Sequence, residues 1–304
     1  MRANAESSSS KNKPNSQPPP VRVLLTNDDG PLSPFFVAWV EHVRSSLSWR
    51  CFVAPPAEGQ SFVSKAVATG NNHSSSSNNG GGGGISLIKV DDETVYVSGP
   101  PATAVNLALH HLATDCDFVV SGPNIGHNVG RGSVLSSGTV GAALEGAVSG
   151  KKSIALSFPF KNGYGNWTEE ELRLAVEASG RVVADLWTNW GEGVDLYNIN
   201  VPLDFNRQKE ERKEEGEEEF EISATTVDPG AQYSSLYKIA HPDAAHDFEW
   251  GPSGLRVFDE ANGVAAAAGG DVEAVREGRP AGESSPPSPP SPPPSSSPCL
   301  CSAS

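Results

Sequence analysis

The sequence predicts an α/β fold, a mainly parallel sheet with helices on both faces. Three observations carry that expectation. Short apolar runs that read as buried strands alternate with amphipathic helical stretches. Glycine, proline and small polar residues separate the two kinds of segment. Residues able to do chemistry gather directly after the strand-like runs.

The first run, Val21-Arg22-Val23-Leu24-Leu25, reads as a strand and ends at Asn27-Asp28-Asp29-Gly30. In the following PFFVAWVEHVRSSL, residues Phe36, Trp39, Val40, Val43 and Leu47 fall on one helical face. CFVA (51–54) and VYV (95–97) are the next strands. Proline opens PPATAVNLALHHL, as suits a first helical turn, and Val105, Leu109 and Leu112 keep helical spacing. DFVVSG (117–122) leads into a glycine-rich loop and then a small-residue helix from Thr139 to Val148. SIALSF (153–158) precedes a helix opened by the capping-box pair Thr168 and Glu171, and LYNINV (196–201) closes the series. The pattern is Rossmann-like, and in such folds ligands bind outside the carboxyl ends of the strands.

The organised part of the chain is expected over residues 21–280, as one domain with low-complexity insertions at 71–84 and 207–219. Residues 1–20 read as a disordered arm and residues 281–304 as a Ser/Pro-rich disordered tail. The net charge of −15 offers no basic face to a nucleic acid polymer. It also requires local cations wherever an anionic substrate binds. The four cysteines form no CxxC pair, which excludes a standard structural zinc site and suits a reducing compartment. No apolar run approaches a membrane span and no apolar leader is visible, so the expectation is a cytoplasmic protein without a membrane partner. Plastid targeting is the secondary reading of the Ser-rich start.

Three strand-end segments could carry chemistry. Asp28 and Asp29 repel each other unless a cation neutralises them, which favours a hard divalent ion with oxygen ligands. Asn, Asp and Gly are also ordinary turn residues, so an Asx-turn is the competing reading. In VVSGPNIGHNVG (119–130), Asn124 and Asn128 follow a strand among glycines that let a ligand approach the backbone. A dinucleotide loop competes there, but its glycine fingerprint belongs after the first strand, where Asn27-Asp28-Asp29-Gly30 stands. In SSGTVGAALEG (136–146), Ser137, Gly138 and Thr139 open a helix whose free N–H groups could face phosphate, or simply cap a tightly packed helix. Among the histidines only His127, inside the glycine loop, is placed to reach such a site.

Taken in order, LLTNDDG, VAPPAEGQS, VSGPPATAVNLAL, VVSGPNIGHNVG, SSGTVGAALEG and YNINVPL resemble the SurE family of survival proteins, particularly its plant-type members. The resemblance spans residues 21–202. It implies a metal-dependent phosphatase or nucleotidase with one divalent cation, Mg²⁺ or Mn²⁺. The family's ligands fall on Asp28, Asp29, Ser61 of EGQS and Asn124 of SGPN, with Ser64 a nearby alternative to Ser61. Asp28 and Asp29 are also the catalytic candidates, as base or nucleophile. Asn128, Ser137, Gly138 and Thr139 are matched to the substrate phosphate.

Two departures stand out. Gly99-Pro100-Pro101-Ala102-Thr103-Ala104 occupies the place of the family's Gly-Thr-Pro-x-Asp-Cys. Arg279-Pro280 runs into the Ser/Pro segment where the family has a further strand, implying a weakened homo-oligomer. The expected activity is hydrolysis of a small phosphomonoester, a nucleoside 5′-monophosphate and also a 3′-monophosphate. Alternatives are a broad acid phosphatase or exopolyphosphatase, or a catalytically weakened nucleotide-binding homologue.

Overall fold

A computed structural model describes residues 20–69, 84–159, 167–203 and 222–228, with the backbone of short strands at 237–239, 248–250 and 281–282. Nearly all of the expected arm, of the insertion at 71–84 and of the tail, and the whole insertion at 207–219, lie outside the described residues.

Five parallel strands form the body of the main sheet, in spatial order β2 (Arg50–Val53), β1 (Arg22–Thr26), β5 (Phe118–Ile125), β6 (Lys152–Phe158) and β7 (Leu196–Asn200). Successive residues point to opposite faces, and both faces are buried. Val23, Leu25, Phe118, Val120, Ile154 and Leu156 pack under α1 (Pro34–Ser45) and α5 (Glu169–Thr188). Leu24 and Val119 pack on the other side with α2 (Pro101–Leu107) and α4 (Gly138–Val148). The capping box at Thr168 and Glu171 is formed as the sequence implies.

From β1 the chain moves outward to β2, then returns to place β5 on the opposite side of β1. The reversal opens a crevice between the carboxyl ends of β1 and β5, where ligands of such sheets bind. Asp28 and Asp29 follow β1, and Asn124 lies near the end of β5. The fold thus converges the two segments without any further device.

Several local expectations are corrected. On α1 the buried face includes Phe35, whereas Val40 is only half-buried, and Leu47, also half-buried, lies beyond the helix end. The α2 helix continues into a π-turn over Ala108–Leu112, closed by the Ala113 N–H donating to the Ala108 carbonyl (2.7 Å). That wider turn rotates Leu112 off the apolar face, leaving it 37% exposed. The glycine-rich loop contains a short helix, α3 (Gly130–Ser136), and β5 runs on to Ile125 through a register shift after Ser121. Gly122 makes the shift possible: a Cβ there would lie 2.1 Å from the Leu156 carbonyl oxygen. An unexpected hairpin pairs β3 (Leu87–Lys89) antiparallel with β4 (Val95–Val97).

Beyond β7 the sheet continues with β11 (Ala281–Gly282), antiparallel to β7, and β8 (Ser223–Ala224). The expectation of no strand after Arg279-Pro280 is therefore corrected. A two-residue pairing needs only two backbone groups, which the two residues preceding the Ser/Pro run can supply. A separate pair joins β9 (Tyr237–Ile239) to β10 (Phe248–Trp250). Among the described residues no helix is long and apolar enough to cross a membrane.

Candidate active site

The turn after β1 divides its work between neighbouring residues. Asn27 is fully buried and its amide donates to the Gly30 carbonyl (2.8 Å). Gly30 supplies the positive φ of +88° that the turn needs. Asn27 thus braces the turn through its side-chain amide nitrogen, which leaves the roles of the two aspartates to be explained separately. Asp28 is only 3% exposed, and its Oδ1 accepts from the Thr139 hydroxyl (2.6 Å). Asp29 reaches across to β5, where its Oδ2 accepts from the Ile125 N–H (2.8 Å). Burial raises both carboxyl pKa values above the ordinary range, and the charge on Asp28 adds to the rise at Asp29. The protein thus holds two adjacent carboxylates that its own groups neutralise incompletely.

Ser61 is brought to this place by its neighbour. The Gln60 N–H donates to the Asp28 carbonyl (2.7 Å), and a Cβ on Gly138 would lie 2.9 Å from the Gln60 carbonyl oxygen. Ser61 itself is exposed and, among the described residues, bonded to neither aspartate. The alternative serine is engaged with another segment: the Ser64 hydroxyl donates to the Leu135 carbonyl (2.8 Å). Asn124 directly precedes Ile125, the residue that donates to Asp29, and its amide nitrogen points towards Gly126.

The start of α4 serves Asp28 more than the sequence suggests. Ser137 is the N-cap and its hydroxyl accepts from the Val140 N–H (3.1 Å). Thr139 is fully buried and committed to Asp28. Glycine at 138 allows this close approach, since a Cβ would crowd both the Gln60 carbonyl oxygen (2.9 Å) and the Asp28 side chain (3.0 Å to its Cβ). Of the four residues matched to phosphate, Ser137 and Thr139 therefore have jobs inside the protein.

Asn128 is a third such case. Its amide nitrogen donates to Ser157 (2.8 Å), its N–H to Asn200 Oδ1 (2.9 Å), and its carbonyl accepts from Asn198 and Asn200. It ties the glycine loop to β6 and β7, and its buried polar groups are occupied by that work. His127 is half-buried, and burial lowers its pKa to about 4, so its imidazole is neutral at pH 7.

The donor set fits a hard divalent cation. Among the described residues no group of three or more His, Cys, Asp or Glu side chains converges. A cation here would therefore be held by two carboxylates and neutral oxygens, which suits Mg²⁺ or Mn²⁺ and not a thiolate- or imidazole-seeking metal. Each aspartate uses one oxygen on a protein donor, which fixes its orientation before any ion arrives.

Comparison with known proteins agrees with this geometry. The family profile described as "Survival protein SurE" matches residues 23–227. The chain belongs to the SurE family. Among SurE relatives, the 5'-nucleotidase SurE of Methanothermobacter thermautotrophicus is 32% identical over 190 residues, covering 60% of this chain and 68% of that protein. The "Probable tubulin--tyrosine ligase PBY1" of Saccharomyces cerevisiae is 33% identical over 222 residues. That match takes in 60% of this chain but only 29% of the yeast protein. The crystal structure of the SurE protein from Aquifex aeolicus superposes with a TM-score of 0.62 at 25% identity, covering 86% of this chain and 92% of that one. Similarity to SurE 5'-nucleotidases supports a nucleotidase or phosphatase function. The residue that motif reading missed beside the aspartates is Gln60, whose N–H bond to the Asp28 carbonyl joins segments distant in sequence.

Proposed function

We propose that the chain is a divalent-metal-dependent phosphomonoesterase that hydrolyses nucleoside monophosphates, 5′ and also 3′, to nucleoside and phosphate. One observation carries the reading. Two adjacent carboxylates, Asp28 buried and Asp29 half-buried, stand at the crevice between β1 and β5, each oriented by a protein donor, with Asn124 and the Ser61 loop beside them. Asp28, Asp29, Asn124 and Ser61 would hold one Mg²⁺ or Mn²⁺. When bound, that ion would polarise a phosphoryl oxygen and offset its charge. Thr139 aims Asp28 by donating to it and partly offsets the rise in pKa that burial causes. The Ile125 N–H does the same for Asp29. Gly138 lets the positive end of α4 lie against the site, where it favours negative charge. Asp29, the more accessible carboxylate, is assigned as the base towards the attacking nucleophile.

The test is phosphate release with and without Mn²⁺, on wild type, Asp29→Asn and Asn124→Ala. Asparagine preserves the turn shape and removes the charge. Turnover should fall at least about 100-fold in Asp29→Asn, and the Mn²⁺-induced rise in Tm should be lost with it. Full turnover and an unchanged Mn²⁺ stabilisation in Asp29→Asn would overturn the reading. Retained Mn²⁺ binding without phosphate release by wild type would favour the nucleotide-binding homologue. A panel of nucleoside monophosphates, a simple aryl phosphate and polyphosphate separates the nucleotidase from the broad phosphatase.

A further inference from the structure

The loop that carries Ser61 is tied to the same helix that orients Asp28. Among the described residues no hydrogen bond holds Ser61 itself; its neighbours are held instead. On one side the Gln60 N–H bonds the Asp28 carbonyl (2.7 Å). On the other, the Ser64 N–H donates to the Ser136 carbonyl (3.0 Å) and the Ser64 hydroxyl to Leu135. Lys65 then forms an ion pair with Glu145, whose other oxygen accepts from the Asn106 amide (2.7 Å). Phe62 and Ser64 both take left-handed backbone angles, φ 59° and 52°, which non-glycine residues adopt only when their surroundings compel it.

The underside of the loop shows how close the fit is. A Cβ on Gly141 would lie 2.1 Å from the Ser64 carbonyl oxygen and 2.7 Å from the Lys65 nitrogen. Helix α4 thus acts as one rigid bar with two attachments. Thr139, in its first turn, holds Asp28, and Glu145, near its other end, holds Lys65. The Glu145 side chain is 7% exposed and that of Lys65 34%, so the pair is half-buried, with its carboxylate set between α2 and α4.

We propose that Lys65 and Glu145 are positioning residues for the cation site: their ion pair, backed by Asn106, keeps Ser61 in register with Asp28. This inference rests on the reading of Ser61 as a ligand of the metal. Such supporting contacts act by fixing the geometry of a ligand, and they are felt in metal affinity before they are felt in folding.

The experiment is calorimetric titration of the full chain with Mn²⁺ alone, without substrate, together with the metal-free Tm. The variants are Lys65→Met, Lys65→Arg, Glu145→Gln, Ser61→Ala, and Lys65→Met combined with Ser61→Ala. Lys65→Met and Glu145→Gln should each weaken Mn²⁺ binding about tenfold, with Lys65→Arg within about twofold of wild type. In the Ser61→Ala background Lys65→Met should add less than about twofold, because it acts through Ser61. Should Glu145→Gln not fold, Lys65→Met carries the test, since the Lys65 side chain is 34% exposed. An unchanged Mn²⁺ affinity with a lowered Tm would reduce the pair to a structural staple and overturn the inference. A fully multiplicative double variant would overturn it too. Asp29→Asn separates the two levels: if it also leaves Mn²⁺ binding intact, the metal site itself is wrong. If it abolishes binding while Lys65→Met does not, only the positioning role falls.

Discussion

The two faces of the sheet are packed by different means. Under α1 and α5 the core is aromatic: Phe35 against Phe158 and Trp167, and Phe118 between Trp49 and Trp187. Under α2 and α4 it is mainly aliphatic, with Leu24, Val105, Leu109 and Val119 set among Ala104, Ala108, Ala142 and glycines that leave no space for a methyl group. Large rings contribute burial, and small residues permit close approach. The site lies where approach is closest, because Asp28, the Ser61 loop and the start of α4 can meet only if Gly138 and Gly141 carry no side chain. Stability and chemistry are therefore supplied largely from opposite faces.

That separation can be broken most directly by a pair of substitutions. Phe118, at the end of β5 remote from the crevice, is fully buried. Phe118→Ala should cost about 3–5 kcal/mol of stability, read from denaturant unfolding, with kcat per folded molecule little changed. In Gly141→Ala the loss of activity per folded molecule should exceed any such loss in Phe118→Ala. Its methyl group meets the backbone of Ser64 and pushes the Ser61 loop outward. A misplacement of about 1 Å costs on the order of 100-fold in rate. Equal loss of stability and activity in both variants would show that the faces do not divide the work.

Thr139→Val probes the small-residue face at its contact with Asp28. The change is nearly isosteric, but it removes the donor to a buried carboxylate, a loss of about 1–3 kcal/mol. Turnover should fall about tenfold or more, and Thr139→Ser, which restores a hydroxyl, should recover most of it. Turnover equal to wild type in Thr139→Val would mean that Asp28 is oriented by other groups.

Asn128→Ala sharpens the comparison from the opposite direction. The motif assigns this residue to substrate, while the structure commits its amide to Ser157. The variant should lose about 1–2 kcal/mol of stability and leave KM unchanged within about threefold. A large rise in KM at unaltered Tm would return Asn128 to the substrate.

These cases mark what could be read in the chain. Periodicity gave the five parallel strands and most of the helical faces, because both signals are local and repeat every second residue or every helical turn. Asp28, Asp29 and Asn124 could be singled out as candidates because strand ends are where such sheets bind ligands. The roles of Asn128, Ser137 and Thr139 could not, since each is fixed by a partner or a cap geometry that residue type alone leaves ambiguous. Asn128 reaches residues 29 and 72 positions away, and Thr139 reaches one 111 positions away. The π-turn at Ala108–Leu112 and helix α3 were equally hidden: one alters the helical period mid-segment, and the other is short and rich in glycine and serine.

The smallest effect expected concerns Glu145, and pH gives it a sign. Burial raises the Glu145 carboxyl pKa, but hydrogen bonds from Lys65 and Asn106 outweigh that, so the net pKa lies below its ordinary 4.5. A carboxylate whose folded pKa is depressed contributes stability above its unfolded value. That contribution fades as pH falls through the folded value. Lys65 is about a third exposed, so solvent screening limits the contribution to about 1 kcal/mol. In metal-free protein, Glu145→Gln should therefore melt a few degrees below wild type at pH 7. The difference should shrink steadily below pH 4.5 as wild-type Glu145 becomes protonated and resembles glutamine. A gap that stays constant down to pH 3 would mean that the variant is destabilised by altered packing between α2 and α4. The small-residue face would then depend on shape alone, with no contribution from the charge that ties the Ser61 loop to it.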